Sequence, residues 1–448
     1  LTLHRATLSL AEERPYLSAH RVVTRGQAIF FVSFALIVIA AAAMRPAETV
    51  NFVVAGMSIG FICSITLRGV LALLGRAVQA DIVLKADDKL PVYTILVPVY
   101  REAAMIPQIA SALAALDYPS DRLDIHLVVE EDDRETCSAV MAAGLDAVVV
   151  PPSHPRTKPK ACNYALQYAR GEFIVVYDAE DRPEPDQLRK AVAAFRAHPG
   201  VSCYQARLAI DRAPSWVSQM FAIDYALWFR TLLPGLARLT APLPLGGTSN
   251  HFRTKALTEA GAWDPFNVTE DADLGIRLAR LGHHVAILDS VTFEEAPKKL
   301  GTWLRQRTRW MKGYMQTMLV HSRNPLAVVA EIGAGGVVLI ASFLGGAVWS
   351  ALINPVMWII CIFGAAFAQD GGGPLALLAR GSGLTLFIAN VLLATMAITK
   401  GSQRGEKTTI ILTYPLYWLL ISAATYRALW QLLRDPFRWE KTPHGAAG

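Results

Sequence analysis

Apolar positions follow three different patterns along the chain, and each predicts its own kind of element. Residues 28–44 form an unbroken apolar run, and residues 51–74 form a second that only Arg68 interrupts. Each approaches the roughly 20 residues a helix needs to cross hydrocarbon. From about Pro91 to Arg323 the pattern turns globular. Short apolar stretches at 93–99 (YTILVPV), 124–130 (DIHLVVE), 146–150 and 172–177 predict buried strands. Helical periodicity at 106–116 and 160–168 lies between them, and this alternation predicts a mostly parallel sheet covered on both faces. Ligands bind such sheets at the carboxyl ends of the strands.

Beyond Arg323 the sequence is apolar again. The run over 326–368 is too long for one span, and Asn354-Pro355 offers a turn near its middle, which predicts two helices there. Residues 383–398 and 409–429 predict two more. The expected architecture is an α/β domain at 90–300 between transmembrane helices, two before it (28–75) and about four after it (326–429). A segment at 1–27 and a tail at 430–448 complete the chain. Arg5, Arg14, Arg21 and Arg25 outnumber Glu12 and Glu13 ahead of the first span, which favours a cytoplasmic N-terminus. An even number of spans then puts the α/β domain and both ends in the cytoplasm, at an inner membrane. Lys400, Arg404 and Lys407 argue the other way, because they fall in a loop assigned outside. Arg68 lies near the end of its run, where snorkelling to the headgroups is expected.

Composition agrees with membrane association: 53% of the 448 residues are hydrophobic and the mean hydropathy is +0.32. The formal net charge of +6 is not gathered into a basic run with interleaved aromatics, which excludes a nucleic-acid partner and assigns the excess to membrane-flanking loops or an anionic substrate. The 5 cysteines are scattered without a CxxC pair, so neither a disulfide framework nor a zinc site is predicted. The first residue is Leu1 rather than Met, so a longer native chain is expected.

Candidate chemistry sits at strand ends and on one helix. Glu130-Glu131-Asp132-Asp133 closes the second strand, and Tyr177-Asp178-Ala179-Glu180-Asp181 follows the 172–177 stretch. Carboxylates so placed suit Mg²⁺ or Mn²⁺ shared with substrate phosphate oxygens. Arg156-Thr157-Lys158-Pro159-Lys160 leads into a helix whose N-terminus can receive an anion. Thr269-Glu270-Asp271 reads locally as an N-cap followed by acids in a first turn, with Gly282 as the stop. The loop Leu245-Gly246-Gly247-Thr248 could come close to a ligand. In Gln306-Arg307-Thr308-Arg309-Trp310 a helix over 300–319 puts Gln306, Arg309 and Trp310 on one face. That face can hydrogen-bond a hydroxyl, hold a diphosphate and stack on a sugar. An interfacial amphipathic helix explains the same residues without any ligand.

Together these motifs (the acidic cluster after the second strand, KPKACN, YDAED, TED and QRTRW, in that order between apolar helices) resemble the family 2 glycosyltransferases, specifically the membrane-embedded branch of cellulose, chitin and hyaluronan synthases. The resemblance covers roughly residues 93–314. It implies a GT-A-like nucleotide-sugar-binding fold and a UDP-sugar donor, with UDP-glucose favoured. Tyr100 and Glu102, with Asp132 or Asp133, would hold the uridine, and Lys160 would meet the diphosphate. Asp178, with Glu180 or Asp181, would bind the metal. Asp271 of the TED motif would be the catalytic base, Arg309 would face diphosphate, and Gln306 and Trp310 would face the acceptor.

The implied reaction is inverting transfer to a growing β-linked polysaccharide, processive and coupled to secretion. Transfer of one sugar to a lipid is the alternative, because ceramide glucosyltransferases resemble the pattern too. A transporter or non-catalytic scaffold is disfavoured, since the acids lie in the soluble middle and not within spans. An accessory subunit is compatible with this reading. The synthases' FxVTG-like loop has no counterpart at 369–382, and the aromatic, cationic tail at 437–445 is expected to fold back over the nucleotide site. Trp216, Trp228, Trp263 and Trp303 could line an acceptor path, but core or interfacial packing is the expected role of each.

Overall fold

The computed structural model describes residues 2–75, 89–367, 388, 391–395 and 408–440. Eight strands form one sheet in the order β3-β2-β1-β4-β7-β6-β8-β5. Its parallel half is β1 (Tyr93–Val99), β2 (Leu123–Glu130), β3 (Ala147–Val150) and β4 (Phe173–Val176), and these agree with the predicted strands to within two residues. The central β1 and β4 are mostly apolar and buried on both faces, as a sheet covered by helices requires, whereas β3 at the edge is only partly buried and exposes Val149. The other half was not predicted. There β7 (Asn250–Arg253) runs antiparallel between β4 and β6 (Val201–Ile210), β6 pairs parallel with β8 (His284–Glu294), and β5 (Arg182–Pro183) closes the edge. The result is a GT-A-like α/β domain with a mixed, mostly parallel sheet.

Among the described residues three helices are long and apolar enough to cross a membrane: Arg25–Met44, Pro46–Leu74 and Pro325–Ile359. The expected turn at Asn354-Pro355 is not there. Pro355 lies inside the helix Gly346–Phe367, and the break falls instead at Gly333, which adopts φ 72° and ψ 161°. Inside a membrane protein a proline is tolerated where neighbouring helices satisfy what it disrupts. Here the Asn354 side chain donates to Ser422 Oγ of the last helix, Tyr414–Arg434, at 3.3 Å. That last helix begins later than predicted because Pro415 suits a first turn. Most of 383–398, all of 369–382 and residues 400, 404 and 407 lie outside the described residues.

Two features bind the domain to the membrane helices. The helix Pro46–Leu74 has 29 residues, roughly 43 Å at 1.5 Å per residue, so its end reaches past the hydrocarbon. There it meets the apolar segment formed by the helices Trp216–Leu227, Trp228–Leu232 and Leu233–Arg238, which shares one core with the membrane helices and Leu300–His321. Glycines permit the contact: a Cβ on Gly235 would lie 2.2 Å from Leu71 O, and one on Gly75 would lie 1.9 Å from Thr231 O. The N-terminal segment is a brace on the domain. Ser18 Oγ and Ala19 N donate to buried Asp264 at 3.1 and 2.5 Å, and Asn163 Nδ2 donates to Ala6 O at 3.0 Å.

Gly235→Ala forces two backbones apart and is expected to destabilise the protein by about 1–3 kcal/mol. Gly69→Ala, in the same pair of helices but with no atom within 4 Å of its Cβ, should be neutral. Thermal unfolding of both variants in detergent compares them directly.

Candidate functional site

One cavity of about 380 Å³ lies where the carboxyl ends of β1, β2 and β4 meet the helix Leu300–His321. Tyr100, Glu102, Lys158, Asp178 and Glu180 line it on the sheet side, and Asp271, Gln306, Arg309 and Trp310 also face it. The lining continues onto the span-length helices Pro46–Leu74 and Pro325–Ile359 through Arg68 and Ala347, and onto the last helix, Tyr414–Arg434, through Trp418. Ten of the fourteen predicted residues therefore converge on one space, and Asp132, Asp133, Lys160 and Asp181 do not line it, although the ten come from segments some two hundred positions apart.

The two lysines of the KPKACN element divide. They sit two positions apart in the first turn of the helix Lys158–Leu166, so their side chains leave on opposite sides. Lys158 enters the cavity, paired with Asp178 and donating to Gly247 O at 2.6 Å. Burial opposes its charge, but Asp178 and Glu270 raise its pKa and keep it protonated. Lys160 turns inward. It is wholly buried and ion-paired to Glu130 at 2.8 Å. Lys160, expected at a diphosphate, thus does not line the cavity, and Lys158 does.

The acidic residues divide in the same way. Asp133 caps the helix Arg134–Ala142 by accepting from Thr136 N at 3.3 Å and also accepts from Arg101 N, so its carboxylate is occupied by the fold. Asp132 pairs with Arg156, which reaches the cavity wall. Of the second cluster, Asp178 and Glu180 line the cavity, whereas Asp181 turns beneath its own loop and accepts from Asp178 N at 2.7 Å and from Thr248 Oγ1. Burial and its acidic neighbours push Asp181 well above the carboxylate range. Asp178 and Glu180 are hard oxygen donors, and with diphosphate oxygens they fit Mg²⁺ or Mn²⁺. Among the described residues no group of three or more His, Cys, Asp or Glu side chains forms a metal site unaided.

The helix Glu270–Arg280 presents its first turn to the cavity. Asp271 accepts from Ala272 N at 2.8 Å, and a Cβ on Gly247 would lie 3.3 Å from its Oδ2. Burial raises its pKa, while Lys158 and Arg309 act in the opposite direction. Glu270 is pushed up to about 8 by burial and by Asp271. Thr269 stands at the cap position, but its hydroxyl makes no capping bond; the side chain lies against Gly313, where a Cβ would come within 2.2 Å of Oγ1. Arg309 donates to Val268 O at 3.1 Å, and Trp310 stacks near Phe221 and Tyr225 with ring centroids 5.6 and 6.0 Å away. Gln306 Oε1 is buried with no hydrogen-bond partner among the described residues.

The tail does fold back as far as it is described. Lys312 Nζ donates to Arg438 O at 2.7 Å and Gln316 Nε2 to Pro436 O at 3.0 Å, which anchors the tail on the QRTRW helix. Trp439 then lies under the Arg309 guanidinium, 4.6 Å from ring centroid to Cζ, and both Trp439 and Glu440 line the cavity. Residues 441–445 lie outside the described residues.

Sequence reading missed several lining residues. Trp228, expected in packing, lines the cavity and stacks on Tyr314 with centroids 6.0 Å apart, whereas Trp263 and Trp303 are buried as expected and Trp216 packs against the same core. Arg68 is 8% exposed and faces the cavity instead of snorkelling. Arg307, the unassigned member of QRTRW, binds Asp224 at 2.5 Å and Tyr417 Oη at 3.0 Å. The one signal in the sequence was Arg68 itself, a charge alone in an apolar run.

Residues 91–313 match the family described as glycosyltransferase like family 2. The chain is 27% identical over 243 residues to a probable glycosyltransferase of Bacillus subtilis, covering 52% of this chain and 57% of that protein. It is 30% identical over 246 residues to a beta-monoglucosyldiacylglycerol synthase of Trichormus variabilis, covering 52% and 51%. It thus spans about half the length of the curated relatives it matches. A solved mannosyltransferase from Pyrobaculum calidifontis, in complex with GDP-Man and Mn²⁺, shares the fold with TM-score 0.52 at 21% identity, over 85% of this chain and 99% of that one.

Lys160→Met should cost about 3–5 kcal/mol by stranding Glu130, and Lys160→Met with Glu130→Gln should recover most of it. Unfolding midpoints of the single and double variants read this; a mild single variant would contradict a structural role for the pair.

Proposed function

We propose that this chain, whose residues 91–313 match glycosyltransferase family 2, moves one hexose, with inversion, from UDP-glucose to a hydroxyl of an acceptor delivered by the membrane. The observation that carries this reading is the continuity of the cavity. Its sheet side offers Tyr100, Lys158, Asp178 and Glu180, its far side reaches membrane helices, and Asp271 lies within electrostatic reach of both Lys158 and Arg309.

Asp271 takes the proton of the acceptor hydroxyl as that oxygen attacks the anomeric carbon from the face opposite the diphosphate. The bond from that carbon to the diphosphate oxygen breaks, its electron pair leaves with UDP, and a β-linkage results. General-base help of this kind is worth on the order of 10² to 10⁴ in rate. Lys158 and Arg309 stabilise the departing charge. Mg²⁺ or Mn²⁺ held by Asp178 and Glu180 would offset more of it. Tyr100 and Glu102 line the wall where the nucleoside would rest, and Gln306 Oε1 is free to accept from an acceptor hydroxyl. Trp439 covers Arg309 from the tail side, which suits a clasp over the bound nucleotide.

A lipid acceptor is favoured over a growing glycan by the cavity's size, since about 380 Å³ is of the order of one small-ligand site. The similarity to a protein named for glucosyldiacylglycerol synthesis agrees. The polymer reading draws on the aromatic lining, Trp228, Tyr314 and Trp310, which suits sugar stacking. Cytoplasmic placement of the domain at an inner membrane follows from the charge bias of the N-terminal segment.

Asp271→Asn should bind UDP with unchanged affinity and lose at least 100-fold in transfer. Because burial raises the Asp271 pKa, transfer should rise with pH through a value above the usual ~4 for aspartate, and normal turnover by the Asn variant would remove the assignment. Lys158→Met should weaken UDP binding, and chelation of divalent ions should stop transfer. Products from radiolabelled UDP-glucose are expected to be single-sugar lipids; high polymer would decide for the synthase reading.

A further inference from the structure

At the membrane side of the cavity the charges do not balance. Arg307 and Asp224 satisfy each other at 2.5 Å, and the second oxygen of Asp224 accepts from Tyr414 Oη at 3.4 Å. Arg68 has no such partner. Among the described residues its guanidinium enters no salt bridge and lies only over the ring of Trp418, 5.3 Å from the centroid. Trp418 is buried, lines the same cavity, and has an indole N–H with no acceptor among the described residues. Two donors, one of them a buried cation, thus border one space without an acceptor. Keeping a cation from water without a counter-ion is costly. A ring face recovers only part of that cost. The oxygens nearest Arg68, those of Asp224 and of the Tyr314 and Tyr414 hydroxyls, act on it only at a distance, and neither donor has a hydrogen-bond acceptor among the described residues, so a ligand anion is the group that would complete them. Tyr314 links this end to the catalytic one, since its hydroxyl is within electrostatic reach of Asp271 on one side and of Asp224 and Arg68 on the other.

We propose that Arg68 and the Trp418 indole N–H form an anion site for the acceptor, so that the sugar is delivered to a hydroxyl of a molecule that also carries a phosphate. The inference deepens the lipid-acceptor reading and rests on it. A planar guanidinium suits a phosphate because it can make two parallel hydrogen bonds to its oxygens. The lipid source is the natural one, since Arg68 belongs to a helix apolar enough to span the membrane.

The test uses the full chain in phosphatidylcholine nanodiscs with radiolabelled UDP-glucose and one of two added acceptors. Phosphatidylglycerol offers hydroxyls and a phosphate, and diacylglycerol offers a hydroxyl alone. The native chain should prefer phosphatidylglycerol by about 10- to 100-fold, the range for hydrogen bonds to a charged group. Arg68→Gln should lose that preference, Arg68→Lys should keep part of it, and Trp418→Phe should reduce it. UDP affinity, measured alongside, reports whether each variant is folded. Inhibition by free glycerol 1-phosphate in the native chain but not in Arg68→Gln would show that the site takes the phosphate whether or not a lipid bears it. Equal use of the two lipids, or an unchanged preference in Arg68→Gln, overturns the anion site and leaves glycosyl transfer standing. Sugar reaching neither lipid also overturns it, and failure to bind UDP as well would take the glycosyltransferase reading with it.

Discussion

The site depends on one close approach, that of Gly313 in the helix Leu300–His321 to the Thr269 side chain. A methyl group at 313 would occupy the space of Oγ1, so the helix bearing Gln306, Arg309 and Trp310 can meet the first turn of Glu270–Arg280 only because position 313 has no side chain. Supporting bonds gather round this contact. Val268 N donates to Gln316 Oε1 at 3.1 Å, Asn267 Nδ2 to Thr317 Oγ1 at 3.0 Å, and Arg309 to Val268 O. Behind them Asp273, wholly buried, accepts from Arg277 and faces His321 at 3.0 Å, while Arg280 ties the same helix to Glu331 at 2.6 Å. Burial works against the Asp273 charge, but Arg277 and His321 hold its carboxyl below the usual range. These partners fix how the first turn of Glu270–Arg280, with Asp271, sits against the helices Leu300–His321 and Pro325–Ile340.

The parallel half of the fold was legible because fully buried strands are short runs of Val, Ile and Leu, and 93–99 reads without ambiguity. The strands β6 to β8 were not, since Asn250–Arg253 is four residues that include His and Arg, stabilised by pairing on both sides and not by any pattern of its own. The membrane helices were legible in composition but not in their breaks. Proline at 355 and glycine at 333 each interrupt regular structure in principle, and only the neighbours decide which one does.

At the site, the sequence order of the motifs was enough to bring their segments together, yet it could not say which side chain of each motif faces inward. Lys158 and Lys160 differ by two positions on a helix, and Glu180 and Asp181 by one in a turn. Facing is set by backbone geometry that a string of letters leaves open. Lys160 and Asp181 are nonetheless not idle. The first neutralises Glu130 at the cavity wall, and the second accepts from Asp178 N, so each holds a neighbour that lines the cavity.

The cations around the site are held in two ways. Lys160 on Glu130, Arg277 on Asp273, Arg280 on Glu331 and, at the cavity wall, Arg307 on Asp224 and Arg156 on Asp132 are paired with carboxylates. Two other cavity residues form no such pair and rest on aromatic rings: Arg309 on Trp439, with one further donor on Val268 O, and Arg68 on Trp418. A ring holds a cation by about 0.5–2 kcal/mol and keeps its hydrogen-bond donors unspent, whereas a carboxylate would consume them. A guanidinium on a ring is therefore poised to receive an anion without first breaking an ion pair. Lys158 is paired with a carboxylate, but that partner, Asp178, is itself a cavity residue with oxygens suited to a divalent cation, so arrival of metal and diphosphate would exchange one ion pair for two and leave no charge stranded.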